Sequence, residues 1–189
     1  EALLRGDTQG HVAKVLAAYA HLLPRTGRAL DLACGLGVHA LFLAAKGLDT
    51  WAWDISSVAI HALQEAALKR RLNVHAQVRD VVENPPEPGS FDMILVHHFL
   101  NRQIVPDIIA ALRPNGILFY QTFTRVKVTT GGPRNENYLL GENELLKLFL
   151  PLQLLAYREE GAIGDIQQGF RNEALLVARQ RSVEQSNNG

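Results

Sequence analysis

The hydrophobic positions fall into two kinds of segment. Short, almost wholly apolar runs such as Phe91-Asp-Met-Ile-Leu-Val96 and Ile117-Leu-Phe-Tyr120 alternate with longer stretches in which apolar residues recur at helical spacing. The short runs, bounded by glycine, proline and polar clusters, predict strands buried on both faces, and the periodic stretches predict helices packed on them. A helix is expected over 11–23, ended by Pro24, followed by a strand over 28–33. Next come a helix over 38–46 stopped by Gly47, a strand over 49–53, a helix over 56–71 capped by Ser56 or Ser57, and a strand over 74–78. The segment 83–90 holds three prolines and a glycine and reads as loop. A strand over 91–96, a helix reaching Leu112, a turn at Arg113-Pro-Asn-Gly116 and a strand over 117–123 follow. A polar, glycine-bearing loop over 125–138, a helix over 142–149 and strands over 152–157 and 174–178 complete the order.

Strands alternating with helices predict the α/β class, a doubly wound, mostly parallel sheet with helices on both faces. The last two strands break the rhythm. No helical pattern fits between Tyr157 and Phe170, so these strands are expected to form an antiparallel hairpin at one edge of a seven-stranded sheet. An ordinary dinucleotide-binding fold has no such hairpin. One domain is expected over 1–181, with 1–27 as its N-terminal helical segment and the polar stretch 182–189 as a disordered tail.

Composition narrows the setting. The chain has 189 residues, 47% of them hydrophobic and 20% charged, as in a globular domain with one core. Nineteen Lys and Arg balance nineteen Asp and Glu, which argues against a nucleic-acid partner. The single cysteine, Cys34, excludes an intrachain disulfide and a cysteine-cluster zinc site. No apolar run approaches the roughly 20 residues that span a bilayer, and no basic-then-apolar signal segment opens the chain. A cytoplasmic location without membrane partners is expected. The chain opens at Glu1 and not at a methionine, which leaves room for residues upstream.

The sharpest chemical signal is Asp31-Leu-Ala-Cys-Gly35-Leu-Gly37, joining a strand to a helix. Glycines at such a turn let the backbone approach a ligand, and the helix N-terminus offers free N–H groups to an anionic group. Gly35-Leu-Gly37-Val-His-Ala40 also satisfies the loose pattern of dinucleotide binders. Asp31 separates the two readings. A pyrophosphate would repel a carboxylate placed before the glycines, whereas the ammonium group of a zwitterionic amino acid would attract one. S-adenosylmethionine has that ammonium, a carboxylate for the helix N-terminus and a cationic sulfur. Asp54 closes the second strand, where a carboxylate can accept from two ribose hydroxyls, and Ile55 is placed to pack on adenine. Asp80 and Val81 follow the third strand, where the carboxylate can accept from the adenine amino group and the Val81 N–H can donate to a ring nitrogen. All three acidic residues stand at carboxyl ends of strands, the edge where open α/β sheets bind ligands. Without a ligand, the same residues read as a tight turn, a helix cap and a polar loop.

These residues resemble the class I S-adenosylmethionine-dependent methyltransferases, and within them the bacterial branch related to the tellurite-resistance methyltransferases. The resemblance runs from about Arg28 to Ala178 and rests on Arg28-Ala-Leu-Asp-Leu-Ala-Cys-Gly-Leu-Gly-Val-His-Ala40, Asp54-Ile-Ser56, Leu112-Arg-Pro-Asn-Gly-Ile-Leu118, Gln121-Thr-Phe-Thr124, and Gly132-Pro-Arg-Asn-Glu-Asn-Tyr-Leu-Leu140 with Glu142-Asn-Glu-Leu145. It departs from the pattern at Leu36, where many members carry a polar or basic residue, and at Asn115, where glycine is usual. The resemblance implies a Rossmann-like methyltransferase fold and S-adenosylmethionine as cofactor, with S-adenosylhomocysteine as product. Its implied cofactor-binding residues are Asp31, Ala33, Gly35, Gly37, Asp54, Ile55, Asp80, Val81 and His97. One fold hosts many chemistries, so the resemblance does not fix the small-molecule acceptor.

Methyl transfer from a sulfonium is a single displacement, and an enzyme contributes mainly alignment and exclusion of water. A soft acceptor such as a thiol or a metalloid oxyanion needs no strong base, while an oxygen or nitrogen acceptor needs a proton acceptor. The segment Val96-His97-His98-Phe99-Leu100-Asn101-Arg102 follows the fourth strand and should face the cofactor. His97 is the expected catalytic group, beside the methionine part and in reach of the acceptor. His98, Arg102, Thr122, Arg134 and Tyr138 are expected on the substrate side, with the loop 125–138 as a lid and Arg134 holding an anionic acceptor. No third ligand accompanies the two adjacent histidines, so no metal site is expected. Two rival readings remain open to the sequence: a non-catalytic S-adenosylmethionine-binding protein and a nicotinamide-dependent oxidoreductase.

Overall fold

The computed structural model describes residues 11–182. The polar stretch expected as a disordered tail lies, apart from Ser182, outside them, as do residues 1–10 of the N-terminal segment. The strands are β1 (Arg28–Leu32), β2 (Asp49–Asp54), β3 (Val74–Val78), β4 (Phe91–His97), β5 (Leu112–Phe123), β6 (Gln153–Arg158) and β7 (Glu173–Arg179). They form one sheet in the order β3-β2-β1-β4-β5-β7-β6. The first five are parallel, and β7 inserts antiparallel between β5 and β6. This is the expected α/β, Rossmann-like methyltransferase sheet with its antiparallel end.

The helices are α1 (Lys14–Ala18), α2 (Val38–Ala45), α3 (Ser57–Arg70), α4 (Val105–Ala111) and α5 (Glu144–Leu148). Local chemistry sets their ends. Ser56 Oγ accepts from Ala59 N–H at 3.3 Å to cap α3, and Lys69 and Arg70 lie in its last turn, where cations suit the helix dipole. Pro106 stands in the first turn of α4, where a missing N–H costs nothing.

Central strands carry apolar residues on both sides because helices cover both faces. Leu30, Leu32, Trp53, Ile94, Val96 and Tyr120 enter one buried layer, while Ala29, Met93, Leu95, Phe119 and Val177 enter the other with Leu16 and Leu43. Asp92, the exception within β4, is explained by its partners: its Oδ2 accepts from Arg28 N–H and from Arg113 Nη1, both at 2.8 Å.

Two elements differ from expectation. The helix expected over 11–23 is the short α1 followed by a 3-10 turn over Ala20–Leu22. Its opening N–H groups find tertiary partners instead of a longer helix: Ala13 donates to His39 Nε2 and Val15 donates to Gln121 Oε1. The turn expected at 113–116 is drawn into β5 as an irregularity, where Asn115 has a positive φ of 67° and its N–H donates to Gln180 O.

Candidate functional site

The glycine turn follows β1 directly. Ala33, Gly35 and Gly37 all have positive φ, at 57°, 52° and 72°. The two glycines do different work. A Cβ built on Gly35 would meet no protein atom within 4 Å, so the room beside it is open to a ligand. A Cβ on Gly37 would lie 2.4 Å from Leu63 Cδ1, so Gly37 lets the start of α2 press against α3. For Gly37, the expected ligand contact is therefore joined by a packing requirement that the sequence did not reveal.

Asp54, at the end of β2, reaches across to the turn. Its Oδ2 accepts from Gly35 N–H at 2.7 Å and its Oδ1 from Ser56 N–H at 2.9 Å. An ionised carboxylate has about four acceptor positions, so two remain for hydroxyl groups. Asp31 is 1% exposed, and its Oδ2 accepts from Ala40 N–H inside α2, with His39 Nδ1 at 4.0 Å. Burial pushes the Asp31 carboxyl well above the usual range; the Ala40 bond opposes this and the nearby charge of Asp54 adds to it. Burial also raises the Cys34 thiol, with the charges of Asp31 and Asp54 pushing the same way. Both shifts favour the protonated, uncharged forms. Asp80 Oδ1 accepts from Val82 and Glu83 N–H groups, which folds the loop after β3. Val81 is buried in the main core, while the Ile55 side chain is 69% exposed and free to cover a ligand. These donors and acceptors fit a ligand that combines a positive charge with vicinal hydroxyls.

From the start of α2 to the end of β4, three imidazoles stand in a row. The His97 ring lies edge-on to His39 at 4.7 Å and stacks on His98 at 3.7 Å, and His98 stacks in turn on Phe123 at 4.1 Å. Burial pushes His39 down to about 4 and His97 down to about 3, and the charge of His98 adds to both shifts. Both rings stay neutral near pH 7. His98 instead holds a carboxylate: its Nε2 lies 2.7 Å from Glu173 Oε1. Glu173 Oε2 accepts from Gln121 Nε2 at 2.6 Å, and Gln121 Oε1 accepts from Val15 N–H at 2.8 Å. Burial alone would raise the Glu173 carboxyl, but His98, Gln121 and Lys14 hold it below the ordinary value. His97, His98, Phe123, Lys14 and Glu173 line a cavity of about 260 Å³.

The remaining expectations fare differently. Arg102 does not face this cavity. Its guanidinium binds Glu144 through Nε at 2.6 Å and Nη2 at 2.9 Å, and donates to the carbonyls of Asn137 and Leu139. It ties the loop after β5 to α5, because four acceptors converge on it there. Thr122 is buried in β5, and Arg134 and Tyr138 are exposed on the loop 125–138; none of the three lines the cavity. Glu173, Gln121 and His39 escaped the sequence reading. A lone amide within the apolar run of β5 was the one signal available, since a buried amide demands partners.

A model described as "Methyltransferase domain" matches residues 29–116. The probable S-adenosyl-L-methionine-dependent methyltransferase TehB of Haemophilus influenzae is 30% identical over 139 residues, covering 70% of this chain and 48% of the relative. The ubiquinone biosynthesis O-methyltransferase of Albidiferax ferrireducens is 30% identical over 153 residues, covering 72% of this chain and 60% of the relative. The chain thus spans between about half and three-fifths of these relatives. The crystal structure of Haemophilus influenzae TehB superposes with a TM-score of 0.73 at 23% identity, over 92% of this chain and 64% of that one.

Proposed function

The chain belongs to the class I S-adenosylmethionine-dependent methyltransferases related to TehB, and on that premise we propose that it transfers a methyl group to a small-molecule acceptor. The observation that carries this reading is the open space beside Gly35, faced by an Asp54 carboxylate whose two backbone donors leave acceptor positions unused. S-adenosylmethionine supplies an electrophilic methyl on a cationic sulfur, together with ribose hydroxyls, an ammonium and a carboxylate.

In this reading the chain's own residues divide the work. Asp54 accepts from the ribose hydroxyls and holds the Gly35 turn at the same time. Asp31, Ala33 and Gly35 receive the methionine part, and Asp31 reaches the ammonium while ordering the first turn of α2 through Ala40. Ile55, Asp80 and Val81 enclose the adenine. His97 sits between the two halves of the site as a neutral, aromatic wall. The acceptor occupies the cavity beyond it, and alignment and exclusion of water supply most of the rate. Cytoplasmic action accords with the single buried thiol, Cys34.

Calorimetric titration with S-adenosylhomocysteine tests the reading, with NADH as control. Saturable binding of the adenosyl ligand alone is expected. Asp54→Ala should weaken it by about 10- to 100-fold, since hydrogen bonds to a charged group contribute about 1.5–3 kcal/mol each. Wild-type affinity in that variant would remove Asp54 from the site, and binding of NADH alone would overturn the reading of the pocket.

A further inference from the structure

His98 combines three features that no packing role requires. It has a positive φ of 55° at the end of β4, a conformation that costs a non-glycine residue about 1 kcal/mol or more and that clusters at functional sites. Its N–H donates to Gln121 O, which fixes the backbone in that state. Its side chain lines the cavity and keeps 37% of its surface exposed, whereas His39 and His97 are largely enclosed.

The hydrogen-bond chain behind His98 leaves it one tautomer. Val15 N–H fixes the Gln121 amide with its oxygen inward, so the Gln121 nitrogen must donate to Glu173 Oε2. The other Glu173 oxygen can only accept, and it accepts from His98 Nε2. Neutral His98 therefore carries its proton on Nε2, and the lone pair sits on Nδ1. Nδ1 has no hydrogen-bond partner among the described residues.

We propose that His98 is the general base of this methyltransferase, with Glu173 as its positioning residue, and that the acceptor is a neutral oxygen or nitrogen nucleophile bearing a proton. This deepens the methyltransferase reading and rests on it. His98 Nδ1 takes the proton of the acceptor. For a hydroxyl the electron pair left on oxygen forms the new bond to the methyl carbon, and for a neutral amine the nitrogen lone pair forms it with the proton passing to His98 afterwards; in either case the carbon–sulfur bond breaks, its pair remaining on sulfur and cancelling the sulfonium charge. Glu173 stabilises the imidazolium, which afterwards returns its proton to water. An acceptor already deprotonated, such as a thiolate or a metalloid oxyanion, would leave this relay without a task.

Two readouts test the proposal. Long-range ¹H–¹⁵N correlation of His98, with S-adenosylhomocysteine bound, should show the Nε2–H tautomer. In Glu173→Gln the new amide has one oxygen for two donors, so the tautomer should shift toward Nδ1–H. A His98 that carries its proton on Nδ1 in the wild type, or that ignores Glu173→Gln, overturns the relay. Methyl transfer is then measured with 3,4-dihydroxybenzoate, phenethylamine, 2-mercaptoethanol and selenite as probe acceptors. Transfer to the first or second is expected, and His98→Asn should lower kcat by about 100-fold or more while S-adenosylhomocysteine affinity stays within about twofold. Transfer only to the thiol or selenite, transfer to none of the four, or an unchanged kcat in His98→Asn, overturns the proposal. S-adenosylhomocysteine binding by the wild type separates these failures from failure of the parent reading, which would abolish that binding too.

Discussion

Gly35 and Gly37 stand two residues apart in one turn, both with positive φ, yet substituting alanine at each should break different properties. At Gly35 the backbone strain of a left-handed alanine is the only intramolecular cost, about 1–2 kcal/mol, because the added methyl meets nothing. At Gly37 the same strain is joined by a clash with Cδ1, Cδ2 and Cγ of Leu63 at 2.4, 2.5 and 2.8 Å. Leu63 is completely buried, so any withdrawal must displace its packed neighbours. Overpacking of this kind adds about 1–3 kcal/mol, for a total of about 2–5 kcal/mol at Gly37. For a domain of this size each kcal/mol lowers Tm by about 2–4 °C. Gly35→Ala should therefore melt within several degrees of the wild type but bind S-adenosylhomocysteine at least about tenfold more weakly, because its methyl fills ligand space. Gly37→Ala should show the larger loss of stability, and removing the obstruction in Gly37→Ala/Leu63→Ala should recover about 1 kcal/mol or more relative to additivity. Urea unfolding and calorimetry on the five proteins, the single variant Leu63→Ala included, supply the numbers. Equal stability losses at the two glycines, or unaltered ligand affinity in Gly35→Ala, would refute this division of labour.

Three further outcomes follow from the polar contacts. Arg102→Ala should cost about 1–3 kcal/mol of stability, measured by urea unfolding, and leave S-adenosylhomocysteine affinity unchanged, because the guanidinium serves Glu144 and two carbonyls and not the ligand. The hydrogen bond from Arg102 also holds Glu144 below its ordinary value, so its contribution is present above the unfolded value of 4.5 and fades as pH falls through the folded one; the variant should lose that part of the acid dependence. His39, buried and neutral with a folded value of about 4, binds a proton more readily in the unfolded chain, so its contribution is full above 6.5 and falls by roughly 3 kcal/mol as pH drops toward 4. Asp31, raised by burial, acts in the opposite sense at the acid end, so the measurement is the difference in unfolding free energy between wild type and His39→Gln from pH 7 to 4.5. Parallel pH curves would show that His39 is not the group concerned.

The sequence made the sheet and half of the candidate site legible for a common reason: both are written in local periods and turns. Strand runs, the Asp31–Gly37 turn, the carboxylate closing β2 and the one just after β3 need only a few neighbouring residues to be read. The other half depends on register between distant strands. Phe123 pairs with Glu173 across β5 and β7, and His97 pairs with Gln121 across β4 and β5. Gln121 is thus the diagonal neighbour of Glu173 on the antiparallel pair, close enough for an amide to reach a carboxylate, while it also receives the backbone of His98. A slip of one residue between β5 and β7 would turn Gln121 and Glu173 to opposite faces and leave His98 without its carboxylate. Reading 174–178 as the last strand captured its apolar face but stopped one residue short of Glu173, because an acidic residue at a strand end carries no periodic signal. The choice between His97 and His98 had the same origin. The two rings stack on each other just where β4 ends, and only the strand that returns from the far end of the chain brings a carboxylate to His98.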